Sequence, residues 1–230
     1  MRILLVVNRL AHVRHFDRAV RLLADHGHDV VLASQDDDVE LSGVLAGQPC
    51  IRAIAAPRNR GDDWGAAATM IRRTRDYIRY LHPRYASANL LRSRAFEKMV
   101  GSVSDRAETM GEEWSDLLLR MPKPEQKRVD ALLAKLETAI PLDPGIHEFL
   151  TAQRPDAIVL SPMVGIGFTQ ADFVKSARAL GIPSGMLVFS WDNLSNKGLI
   201  HEMPDRMFVW NDIQVHEARK LHKYPGKHIV

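Results

Sequence analysis

The chain has 230 residues and a mass of 25.9 kDa, so at roughly 150 residues per domain it is one large domain or two small ones. Hydrophobic residues make up 46% and charged residues 26%, which excludes a disordered or collagen-like chain and allows a core without covalent staples. Thirty-one Lys and Arg against 28 Asp and Glu give a net charge of +3, too small for a dedicated nucleic-acid binder but open to an anionic ligand such as a phosphate or a lipid surface.

Ile3 to Val7 is an unbroken apolar run, the pattern of a strand covered on both faces. Its five residues fall short of the roughly 7–15 of a signal-peptide core. From Phe16 the pattern turns helical, with Phe16, Ala19, Val20, Leu22 and Leu23 on one side, and Gly27 supplies a C-terminal cap. Asp29 to Ala33 is a second strand. This βαβ unit predicts an α/β fold with a Rossmann-like, doubly wound parallel sheet. Cys50 is the single cysteine, so no internal disulfide forms and a reducing, cytoplasmic compartment is expected. A third strand is expected over Ile51–Ala55 and a turn-rich loop over Pro57–Asp63. Residues 64 to about 140 are rich in Arg, Ala, Leu and Glu and predict an insert of two or three helices. One runs from about Trp64 to Leu81 and is ended by Pro83; another is expected over Gln126–Ile140. Strand alternation resumes after Pro155, with strands at 156–160, 185–190 and 206–210 and helices at 171–180 and 212–222. Gly226 to Val230 reads as the opening of one more strand, which leads us to expect that a second half follows. No stretch reaches the roughly 18 apolar residues of a spanning helix.

In such a fold, ligands sit at the C-terminal ends of the strands. The loop after the first strand, Asn8 to His15, contains no glycine, which argues against a dinucleotide fingerprint, and no P-loop is present. It offers His12, Arg14 and His15 instead. An imidazole can act as a general base on a hydroxyl, and a guanidinium can clamp a phosphate or carboxylate. Asp36-Asp37-Asp38 contains an Asp-x-Asp pattern, but three acids in a loop are more often solvated, and no metal site is expected. Gly165 and Gly167 link a strand to a helix and permit close approach of a ligand to the helix N-terminus. The most unusual stretch runs from Ser190 to Gly198. It offers Trp191, Asp192, Asn193, Asn196 and Lys197 at a strand end, where they serve a ligand or simply build turns. Arg72, Arg75 and Arg79 share a helical face, with Arg73 beside them. That face is either solvated or rests on anionic lipid.

Arg14-His15-Phe16, continuing through Arg21 to Val30, resembles the first βαβ unit of GT-B glycosyltransferases, where a Gly-His-x-Val turn ends the first helix. Ser190 to Gly198, followed by Pro204 to Asn211, is the more specific match. It is similar to bacterial surface-polysaccharide glycosyltransferases and related glycerophosphotransferase-like proteins. The resemblance implies that residues 1–230 form an acceptor-side, N-terminal Rossmann-like domain with a helical insert at about 64–140, without the donor-binding C-terminal domain. It implies His15, or His12, as the catalytic base or an acceptor-binding group, Asp192 and Asn193 facing the cleft and Lys197 against phosphate. Together with the loop residues read above, His15 is the candidate base and His12, Arg14, Gly165, Gly167, Trp191, Asp192, Asn193, Asn196 and Lys197 are the candidate acceptor or ligand contacts. The nucleotide-sugar donor is then a substrate, with no cofactor bound by this domain. The implied partners are a C-terminal donor domain or subunit and a sugar or lipid-linked acceptor. No nucleic acid is involved, and the compartment is the cytoplasm with peripheral contact at the inner membrane face. Polyol-phosphate transfer and a non-catalytic partner-binding module are the alternative readings.

Overall fold

The computed structural model describes residues 1–36, 39–41, 43–58, 60–102, 108–165 and 170–230. Among the described residues, six strands, β1 (Arg2–Val7), β2 (Asp29–Ser34), β3 (Ile51–Ala55), β4 (Ala157–Ser161), β5 (Ser184–Leu187) and β6 (Arg206–Phe208), form one sheet. Its order is β3-β2-β1-β4-β5-β6 and every pairing is parallel. This is the Rossmann-like doubly wound order, with its switch point between β1 and β4. Val7 lies opposite both Ser34 and Ser161, and Ser34 opposite Ala55. Four strands therefore end in line, and their loops leave from one edge.

The apolar runs follow from coverage on both faces. Alternate side chains of a strand point to opposite faces. Leu4, Val6, Val31, Ala33, Ile158 and Leu160 pack on one face with α6 (Pro144–Gln153), α7 (Gln170–Ala179) and α8 (Asp212–His222). Leu5, Val7, Val30 and Leu32 pack on the other with α1 (Asp17–Asp25). Phe16, Val20 and Leu23 of the first helical segment face the sheet, whereas Ala19 and Leu22 point outward. Gly27 and Gly181 adopt positive φ (79° and 69°), as expected where a helix turns back into a strand.

Among the described residues, four helices stand where two or three were expected: α2 (Gly65–Tyr80), α3 (Asn89–Val100), α4 (Glu108–Arg120) and α5 (Lys123–Ala139). Tyr77, Tyr80, Met99 and Leu118 form their own core. The sequence reading also missed α6. Its Pro144-Gly145 start resembles a breaker, but Asp143 caps it by accepting from Ile146 N at 2.7 Å, and proline is tolerated in the first turn. Residues 226–230 form a single 3₁₀ turn at Gly226–His228, then one parallel bridge from Ile229 to Met207 on the free side of β6, rather than a full strand. Among the described residues, no helix is long and apolar enough to cross a membrane.

A buried ionic cluster ties the helices to the sheet. Arg72 of α2 grips Asp172 of α7 with two parallel hydrogen bonds (2.7 and 2.9 Å) and reaches Glu137 of α5 at 2.8 Å. Arg60 meets the same Asp172 at 2.8 Å, and Lys175 lies 3.3 Å from Glu137. All five side chains are nearly inaccessible. Burial opposes charge on Glu137, but Arg72 and Lys175 outweigh it and hold its carboxyl below the usual range. The arginines of the face that the sequence offered to solvent or a lipid surface are each committed to partners within the chain, and Arg72 is turned fully inward. Arg72 is enclosed, Arg75 pairs with Asp130 at 2.9 Å, Arg79 binds the carbonyls of Leu194 and Gly198, and Arg73 donates to Lys98 O.

Candidate functional site

The loop after β1 is not irregular. Leu10–His15 forms a 3₁₀ turn, pinned by the burial of Leu10, Val13 and Phe16 against the α1-side core. That spacing leaves His12 half-buried and Arg14 and His15 exposed. Both imidazoles meet Phe189, which follows β5. His12 stacks on it at 5.3 Å between centroids and 17° between planes, and His15 is tilted at 5.4 Å and 51°. The sheet order thus joins two loops far apart in sequence. Burial lowers the pKa of His12, and the neighbouring Arg9, His15 and Arg14 lower it further, so this imidazole is neutral near pH 7. Its Nδ1 is buried and has no hydrogen-bond partner among the described residues. Arg14 also lines a cavity of about 380 Å³ between the 3₁₀ turn and residues 40–41 and 43–45.

The polar loop after β5 is a built structure. Asn193 is buried, and its Oδ1 accepts from the N–H groups of Phe189 and Ser190, both at 3.1 Å. That oxygen shapes the turn. Asp192 accepts from Ser190 Oγ at 2.7 Å and pairs with Lys197 at 3.0 Å. Burial opposes its ionisation, but these two partners outweigh it and keep the carboxyl below the ordinary range. Asn196 is half-buried, with its N–H on Asp192 O at 3.0 Å. Trp191 is 72% exposed, and Trp210, after β6, is 56% exposed. The far half of the loop is bolted to α2 and α8. Arg79 donates to Leu194 O (2.7 Å) and Gly198 O (2.8 Å), Tyr80 to Lys197 O (2.7 Å), and His222 Nε2 lies 2.8 Å from Leu194 O.

The switch point itself is closed by a carboxamide that the sequence reading did not single out. Gln170, fully buried at the start of α7, donates to Asn8 Oδ1 (2.9 Å) and Ser161 O (3.1 Å), and its Oε1 accepts from Met163 N (2.8 Å). It also reaches Gln35 at 3.4 Å, and Gln35 donates to Pro57 O at 2.9 Å. One chain of amides thereby laces together the ends of β1, β2, β3 and β4. A glutamine next to a Gly-x-Gly turn is the only sequence trace of it. Gly165 lies half-buried beside this lacing, and Gly167 lies outside the described residues. So do Asp37 and Asp38. Asp36 is held by Arg58 at 2.6 Å and Arg9 at 3.7 Å.

The edge therefore brings together His12, His15, Phe189 and the Asp192–Lys197 pair. It combines a neutral imidazole, the exposed guanidinium of Arg14, the ion-paired Lys197 and the exposed indole of Trp191. These groups suit proton removal from a hydroxyl, contact with an anion and stacking on an apolar ring face.

No protein-family model matches the chain, and no curated protein matches it. Among solved structures, the glycosyltransferase VinC in complex with DTDP aligns with 84% of this chain at 14% identity and a TM-score of 0.36. The chain covers 36% of that structure's length, and a similarity at this level establishes neither activity nor substrate.

Proposed function

We propose that the chain is the acceptor-side half of a glycosyltransferase that uses a nucleotide-activated sugar. The observation that carries this reading is the meeting of His12 and His15 with Phe189, beside the Asp192–Lys197 loop, at the ligand-binding edge of a doubly wound sheet. In the proposed reaction an imidazole, His15 with neutral His12 beside it, takes the proton of the acceptor hydroxyl. The hydroxyl oxygen forms a bond to the anomeric carbon, the bond from that carbon to the donor diphosphate breaks, and the diphosphate leaves with the electron pair. Lys197 and Arg14 face developing negative charge, and Trp191 offers a flat apolar surface to a sugar ring. The donor is a substrate, so no resident cofactor is needed. A donor-binding domain or subunit completes the cleft, the acceptor is a glycan or lipid-linked sugar, and the reaction belongs in the cytoplasm.

The test is turnover by the whole protein with uridine-diphosphate sugars, and separately with CDP-glycerol. His15→Ala should lower kcat by about 10²–10⁴-fold, the range of a general base, with an unchanged melting temperature. If single and double His12 and His15 variants keep full activity, the assignment fails. Turnover of CDP-glycerol alone would move the transferred group to a polyol phosphate.

A further inference from the structure

A second site lies away from the β1 loop, where the insert meets α8. The end of α2 with the turn that follows it, the start of α5 and the end of α8 enclose a cleft of about 560 Å³, within the range of small-molecule pockets. Among the described residues, its lining holds seven Lys and Arg and one carboxylate, Asp130. The cleft is thus net +6 while the whole chain is only +3, so the rest of the molecule is net negative.

Three of those cations have structural work. Arg75 pairs with Asp130, Arg79 holds the 190–199 loop, and Lys123 donates to Leu81 O at 2.7 Å. Among the described residues, the side chains of Arg84, Lys127, Lys220 and Lys223 have no hydrogen-bond or ion-pair partner. Four unneutralised cations from three separate elements converge on one concavity. All four are solvent-exposed, and their convergence raises the local positive potential and so the local concentration of anions. The N-terminus of the 17-residue helix α5 opens into the same cleft without a side-chain cap, adding its positive dipole end. His82 on the rim reports the field: burial lowers its pKa, and Arg84, Lys127 and Lys123 lower it further. The remaining wall is apolar, formed by Ile78, Pro83, Tyr85, Leu199 and Leu221.

We infer that this cleft binds a phosphorylated amphiphile, in which a phosphate or diphosphate group is joined to an apolar body. The oxyanion meets Lys127, Lys220, Lys223 and Arg84, and the apolar part lies against Tyr85 and Leu221. The inference does not depend on the transfer reaction proposed above. Leu199 belongs both to the cleft and to the 190–199 segment, and Arg79 of α2 lines the cleft while donating to Gly198 O, so occupancy also bears on the loop that shapes the first site.

The experiment measures binding of inorganic pyrophosphate, of dodecyl phosphate below its micelle concentration, and of vesicles containing 20% phosphatidylglycerol. The intact protein is compared with the triple variant Lys127→Glu, Lys220→Glu, Lys223→Glu. A control of equal charge change outside the cleft carries Arg18→Glu, Arg94→Glu and Lys135→Glu. Both triple variants are checked for unchanged thermal unfolding, and Lys127→Gln, Lys220→Gln, Lys223→Gln replaces the first if it does not fold. The expected result is saturable binding, tighter for dodecyl phosphate than for pyrophosphate. The cleft variant should weaken it at least tenfold, while the control stays within twofold of the parent. Vesicle flotation that the cleft variant abolishes identifies a lipid headgroup as the source. Binding of dodecyl phosphate without flotation identifies a free ligand. Absence of binding by every probe, or equal losses in cleft and control variants, overturns the proposal.

Discussion

Gly198 sits where a side chain would collide with a fixed carboxylate. A Cβ there would lie 2.8 Å from Asp76 Oδ2 and 3.0 Å from Oδ1. Asp76 cannot swing aside easily, because it is fully buried, accepts from Leu199 N at 2.7 Å and lies 3.3 Å from His201 Nε2. Gly198→Ala should therefore destabilise the protein by about 1–3 kcal/mol, the usual cost of forcing extra volume into a packed site. Thermal unfolding reads this as a melting temperature lower by several degrees; an unchanged value would mean the loop moves freely from α2. The same scale explains Asn193. As a sequence it is one more polar residue in a polar loop, whereas in the fold its Oδ1 is committed to two backbone N–H groups. A ligand role and a turn role look alike until the partner atoms are located.

At the scale of elements, the anchoring of α2 to the sheet rests on charge. Asp172 is the common partner of Arg60 and Arg72, and all three are enclosed. Asp172→Asn leaves two buried guanidinium groups without their full counter-charge. The expected cost is about 3–5 kcal/mol, typical of removing one partner from a buried pair, with a matching fall in the urea midpoint. A loss below about 1 kcal/mol would mean that water reaches the cluster and solvates the arginines. The periodicity of α2 was plain in the sequence, including the apolar stripe of Ile71, Ile78 and Leu81. The destination of its arginines was not, because Arg72 finds Asp172 one hundred residues away. Composition treats a buried arginine and a solvated one alike.

Across the whole molecule, buried imidazoles contribute to the response to acid above the carboxylate range. His222 is enclosed at the end of α8, and burial, followed by the nearby Arg79, pushes its pKa down to about 3. The unfolded chain takes up this proton near pH 6.5, and the folded chain does not until far lower pH. The folded state thus binds fewer protons. Its stability is intact above pH 6.5 and falls as pH drops from there toward 3. His12, also lowered, acts in the same direction. His222 alone should remove about 2 kcal/mol between pH 7 and pH 5. His222→Gln should flatten that limb in urea unfolding at the two pH values; an identical drop in the variant would assign the acid response elsewhere. The sequence by itself determined the alternation of strands and helices and the parallel, two-sided sheet. Those depend on which backbone segments bury apolar faces, and that is written in local periodicity. It also marked the loops after β1 and β5 as chemically rich. Only the tertiary structure decided that His12 rests on Phe189, that Arg72 of α2 turns inward, and that residues 75–85, 123–130 and 220–223 close around one cationic cleft. These pairings follow from strand order and from how the long β3–β4 connection folds back on the sheet, and no local pattern encodes either.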